Sequence, residues 1–149
     1  MSFEYGIDGP RAIVVGVDGS DTAWHALHYA VGQARRQGGR VVALYADRLP
    51  SLAFATAMPL AATAVVDPQT DALAVELRTE VARLSAEHGV DAVFEVVAGD
   101  PVTALAQVAE RERADAVLVG ASVQAGHRLY GSVATRMVKL GRWPVTVVP

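Results

Sequence analysis

The stretch AGDPVTALAQVAERERADAVLVGAS, residues 98–122, decides the fold. PVTALAQVAERERA reads as a helix, with Pro101 in the first turn, where a missing N–H is no loss. DAVLVG, residues 115–120, is apolar and branched and reads as a strand. VDAVFEVVAGDP, residues 90–101, reads as the strand that precedes the helix. A strand, a short turn, a helix and a second strand form a βαβ unit, whose strands run parallel.

Working outward, the same alternation fills the chain. RAIVVGVD (residues 11–18) and RVVALYAD (residues 40–47) are nearly continuous apolar runs, as expected of parallel strands covered on both faces. Between them GSDTAWHALHYAVGQARRQGG predicts a helix. Ser20 suits its N-cap, Asp21 favours the positive end of the helix dipole, and Gly38-Gly39 stops it. A second helix is predicted in DPQTDALAVELRTEVARLSAEHG, where Leu73, Leu77, Val81 and Leu84 recur at helical spacing and Gly89 ends the run. A fourth helix, GSVATRMVKLG, carries Arg136 and Lys139 toward its negative end, and PVTVV closes the chain as a fifth strand. The expectation is an α/β protein: one doubly wound, five-stranded parallel sheet flanked by four helices. Residues 11–149 are expected to form that domain and residues 1–10 a flexible tail.

Composition narrows the function classes. The chain has 149 residues, 52% of them apolar, enough for one full core. It has no cysteine, which excludes a disulfide framework and a cysteine nucleophile and suits a reducing cytoplasm. A net charge of −3 gives no general attraction to nucleic acid. The apolar segment LPSLAFATAMPLAATAVV (residues 49–66) has two prolines and many small residues, so it reads as a surface loop or lid and not as a membrane span. Its apolar character makes it a candidate contact for a protein partner.

In doubly wound sheets, ligands bind beyond the carboxyl ends of the strands. Those ends here are Val17-Asp18-Gly19-Ser20, Ala46-Asp47, Gly99-Asp100 and Gly120-Ala121-Ser122. The corner Gly131-Ser132-Val133 opens the fourth helix. Free N–H groups there attract anions, and Arg128, three residues earlier, is placed to add charge; Ser132 alternatively caps its own helix. The P-loop GxxxxGK[ST], a GxGxxG after the first strand and the GxSxG elbow are all absent from the sequence. Asp21, His25 and His28 share one helix face at about 100° per residue, but no fourth metal ligand is evident. Asp18, Asp47, Asp100 and His127 are general acid–base candidates, although no pair has a spacing that fixes a mechanism.

Taken together, IVVGVDGSDTAWHALHYA, VVALYAD, AGDPVTALAQVAERERADAVLVGAS and LYGSVATRMVKLGRWPVTVVP resemble, in order and spacing, the universal stress protein family. The resemblance implies strand order 3-2-1-4-5, a cytoplasmic homodimer paired through the C-terminal strand, and a role in stress response. It also implies, in some members, binding of ATP or another adenine nucleotide, with or without Mg²⁺. At most a slow ATP hydrolysis would accompany it. Carried over by position, Val17 and Asp18 would serve the nucleoside and Ala46 the adenine wall. Gly120 and Ala121 would floor the ribose and phosphates, and Gly131, Ser132 and Val133 would hold the phosphates. Nucleotide binders of the family show Gly-x2-Gly-x9-Gly-Ser/Thr after the fourth strand. Here Val123 stands where the second glycine belongs, and Gly131 comes two residues early. That departure keeps a second expectation alongside nucleotide binding: a nucleotide-free dimeric scaffold that engages a partner through residues 49–66.

Overall fold

The computed structural model describes residues 11–47, 68–124, 127–129 and 131–149. The 1–10 tail and the 49–66 loop, with its suggested partner contact, lie outside the described residues. Five parallel strands form the main sheet: β1 (Ala12–Gly16), β2 (Arg40–Asp47), β3 (Asp91–Ala98), β4 (Ala116–Gly120) and β7 (Val145–Val148), in the order β3-β2-β1-β4-β7. Numbered within that sheet alone, this is the expected 3-2-1-4-5. Four helices connect them: α1 (Asp21–Gln37), α2 (Pro68–His88), α3 (Pro101–Arg111) and α4 (Ser132–Leu140).

The helices lie on two faces because each strand alternates its side chains between two cores. Ile13, Val15 and Val17 of the β1 segment, with Val41 and Ala43, pack against Leu27 and Val31 of α1 and Leu77, Val81 and Leu84 of α2. Val14, Val42, Leu44, Val117 and Val119 point the other way, onto Leu105 and Val108 of α3 and Met137 of α4. Val14, Val15, Leu27, Leu118 and Met137 are fully removed from water. Burying each such side chain contributes about 1.5–3 kcal/mol. The central strand β1 joins β2 on one side, with Ala12 opposite Arg40, and β4 on the other, with Val14 opposite Val117.

Helix ends follow the local sequence. The Ser20 side chain caps α1 by accepting the Ala23 N–H, as expected. Gly38 closes the same helix in the left-handed conformation, φ 67°, which a side chain would disfavour. Asp100 caps α3 through the Thr103 N–H, and Pro101 follows at the first helical position. The connection between β4 and α4 holds a short antiparallel ribbon that sequence patterning does not reveal. It pairs β5 (Ser122–Gln124) with β6 (His127–Leu129), Val123 opposite Arg128. Three residues per strand are too few for a periodicity to be visible.

Candidate functional site

The carboxyl ends of β1, β2 and β4 and the first turns of α1, α3 and α4 surround an open cleft of about 800 Å³. Val17, Asp18, Ala46, Gly120, Ala121, Gly131, Ser132 and Val133 all line it. Of the nine residues the sequence assigns to nucleotide contact, Arg128 is the one not placed there: its backbone belongs to β6, and its side chain lies outside the described residues.

At the end of the first strand, the Asp18 Oδ1 accepts from the Ser20 N–H at 3.0 Å and from the Ser20 hydroxyl at 2.6 Å. The Ser20 Oγ in turn accepts the Ala23 N–H at 3.3 Å. Asp18 therefore fixes the cap of α1 with one carboxylate oxygen. Sequence reasoning overlooked Thr22, a buried polar residue in the first turn of α1. Its hydroxyl donates to the Ala121 carbonyl at 2.6 Å and ties α1 to the residue after β4.

That tie explains Gly120. A Cβ there would lie 2.6 Å from the Thr22 carbonyl carbon and 2.7 Å from the Ala23 nitrogen. Both atoms are backbone, so neither can swing aside. The glycine is demanded by the crossing of α1 over the end of β4, whatever occupies the cleft.

The first turn of α4 is built differently. Its N-cap is Gly131, at φ −62° and ψ 164°, and no side chain caps it. The reading of Ser132 as its own helix's cap is therefore corrected: Ser132 is the first helical residue, one position too late for that role. The Thr135 N–H makes the turn's bond to the Gly131 carbonyl at 3.1 Å. Ser132, Val133 and Ala134, whose N–H groups precede that bond, line the cleft, and among the described residues no side chain caps the turn. Gly131 also packs closely on β5, since a Cβ there would come within 2.8 Å of the Ser122 Oγ.

One turn further along α4, Arg136 reaches Asp100 in a bidentate pair, with Nη1 at 2.8 Å from Oδ1 and Nη2 at 3.0 Å from Oδ2. The Arg136 guanidinium, followed by the Thr103 N–H, holds the Asp100 carboxyl well below the usual carboxylate range. Asp100 is thus occupied as a helix cap and an ion-pair partner, which removes it from the general acid–base candidates. Arg136, expected near the helix's negative end, instead bridges α4 to α3. The i, i+4 spacing of Ser132 and Arg136 puts both on one face of α4.

The histidines of α1 turn to separate neighbours. The His25 Nδ1 lies 3.1 Å from the Pro149 carbonyl, and the His28 Nε2 lies 3.4 Å from Glu80. Among the described residues no cluster of three or more His, Asp or Glu side chains has metal-binding geometry. No helix among them is long and apolar enough to cross a membrane.

Comparison with known proteins agrees with this architecture. Residues 10–149 match the model of the universal stress protein family. A universal stress protein of Methanocaldococcus jannaschii is 29% identical over 143 residues, covering 93% of this chain and 81% of the relative. A solved universal stress protein in complex with cAMP superposes with a TM-score of 0.67 at 25% identity, covering 93% of this chain and 96% of the other. The universal stress protein of Archaeoglobus fulgidus in complex with dAMP gives a TM-score of 0.66 at 21% identity, covering 93% and 98%. With a family match spanning nearly its whole length and a cleft walled by the Asp18 turn and the open Gly131-Ser132 corner, the chain belongs to the universal stress protein family.

Proposed function

We propose that this universal stress protein is a cytoplasmic regulator of the stress response that binds an adenine nucleotide in the cleft. The observation that carries the reading is the uncapped first turn of α4. Among the described residues it has no side-chain cap while α1 and α3 each have one, and the Ser132 side chain stands beside its N–H groups. An anion supplies what the sequence withholds at that corner. The rest of the cleft suits the remainder of a nucleotide. Ala46 and the Val17 segment offer apolar wall, and Asp18 has a second carboxylate oxygen to accept from a ribose hydroxyl or an adenine amine. The cAMP-bound relative supports an adenine nucleotide as the class.

The test is to release small molecules from purified protein for mass spectrometry and to titrate adenosine nucleotides calorimetrically. Nucleotide recovered or a heat of binding supports the reading. The absence of both at millimolar nucleotide would leave a scaffold function in its place. Val123 and the β5–β6 ribbon favour that second reading, because they replace the open glycine loop of the nucleotide-binding pattern.

We propose further that two copies pair through β7. This terminal strand is bonded to β4 on one edge, and Pro144 and Pro149 bracket it. Val145, Thr146 and Val147 are only half-buried within one chain. Sedimentation at micromolar concentration should give a dimer, and a monomer would exclude this pairing.

A further inference from the structure

We infer that the Asp100–Arg136 pair makes the cleft selective for adenine nucleotides bearing a single phosphoryl group, linear or cyclic, over nucleoside triphosphates. This rests on the nucleotide-binding reading above and names the class of ligand.

The first observation is the charge around the cleft. Among the described residues that line it are three carboxylates, Asp18, Asp21 and Asp47, and no lysine, arginine or histidine. Among the described residues, the anion corner of α4 supplies backbone N–H groups and one hydroxyl but no full positive charge. Such a turn suits one phosphoryl group. A triphosphate brings about twice the negative charge of a monophosphate, and the excess faces carboxylates.

The second observation is where the nearest described cation of α4 has gone. Arg136 follows Ser132 by one turn on the same face. Helical side chains lean toward the N-terminus of their helix, so a free guanidinium at position 136 extends toward Ser132 and the phosphate corner. Here both of its terminal nitrogens are held by Asp100, next to the cleft-lining Pro101. The same carboxylate caps α3, which anchors it in place. Asp100 thus neutralises the described side chain of α4 best placed to receive a second or third phosphate.

The test compares AMP, cyclic AMP, ADP and ATP by calorimetry in Mg²⁺-free buffer. It uses the wild type, Asp100→Asn and the double variant Asp100→Asn/Arg136→Gln. Asparagine and serine both cap helices well, so Asp100→Asn should stay folded, and Asp100→Ser is an independent second route; circular dichroism melts check both. The wild type should bind AMP about tenfold more tightly than ATP. Asp100→Asn should close that gap to about twofold by releasing Arg136. Adding Arg136→Gln should reopen the gap, an outcome that a merely structural role for Asp100 would not produce. Wild-type binding of ATP as tight as that of AMP would overturn the inference while leaving nucleotide binding intact. An unchanged ratio in a folded Asp100 variant would do the same. Failure of all four nucleotides to bind the wild type would overturn the nucleotide-binding reading itself.

Discussion

The first turns of α1 and α4 face the same cleft and solve the same problem in opposite ways. Every helix begins with N–H groups that lack a partner. In α1 the Ser20 hydroxyl accepts one of them, Asp18 holds Ser20 in place, and Thr22 binds the turn to Ala121. In α4 a glycine occupies the cap position and, among the described residues, no side chain accepts. One turn has a side-chain acceptor built in, and the other, among the described residues, has none and on the proposed reading receives an anion. Mutations in the first should therefore register as stability, and mutations in the second as affinity.

The largest expected effect falls on the α1 side. Gly120→Ala forces a Cβ onto the backbone of Thr22 and Ala23, a clash that no rotamer relieves. It should cost about 3 kcal/mol, lowering the melting temperature by roughly 6–12 °C. A melt within a degree or two of wild type would mean that α1 and β4 can separate, and the contrast between the two turns would weaken.

Gly131→Glu probes the other turn. The backbone there has φ −62°, which any residue adopts, and the tightest contact of the new Cβ is the Ser122 Oγ at 2.8 Å, a hydroxyl that can turn aside. The fold should survive with a loss of about 1 kcal/mol. Nucleotide affinity should fall by at least about 100-fold, because a carboxylate then fills the anion corner. Calorimetry showing undiminished binding would place the phosphates elsewhere.

Two serine variants sharpen the comparison at lower amplitude. Ser20→Ala removes a cap and should cost about 1 kcal/mol of stability, or roughly 2–4 °C. Ser132→Ala should leave the melting temperature unchanged, since Ser132 caps nothing, yet weaken nucleotide binding by about 1 kcal/mol, roughly fivefold. Equal losses of stability in the two variants would erase the distinction.

The smallest expected effect is a pH dependence at Asp100. Its carboxyl is depressed in the folded protein by Arg136 and the Thr103 N–H. The stability it contributes is therefore fully present above the unfolded carboxylate pKa of about 4 and is lost as pH falls through the lower folded value. Asp100→Asn should melt slightly below wild type at neutral pH, with the two curves converging in strong acid. The pair is substantially exposed, so the gap should stay small. A gap that widens on acidification would contradict the assigned pairing.

Much of this was legible in the residues. Buried strands announce themselves as branched apolar runs, and helices as spaced leucines between a cap and a glycine. The five main strands and four helices fall where those patterns place them. Eight of the nine residues singled out as a site line one cleft, because the carboxyl ends of neighbouring parallel strands come together once the winding is known. The reason for Gly120 was not legible. The sequence marks a glycine at a strand end, but only the crossing of α1, about a hundred residues earlier in the chain, shows which backbone excludes a side chain.

By itself, then, the sequence determined the alternation of elements, the layering of two cores around one sheet, and the end of the sheet where a ligand would enter. These follow from local periodicity and from the handedness of parallel crossovers, which leave few alternatives. The tertiary structure alone decided which polar groups are spent and which remain available. Thr22 is spent on Ala121, Asp100 on Arg136, and the first turn of α4 is left open. Hydrogen bonds and ion pairs depend on distances of a few ångströms between segments far apart in the chain, and no spacing within one segment encodes them.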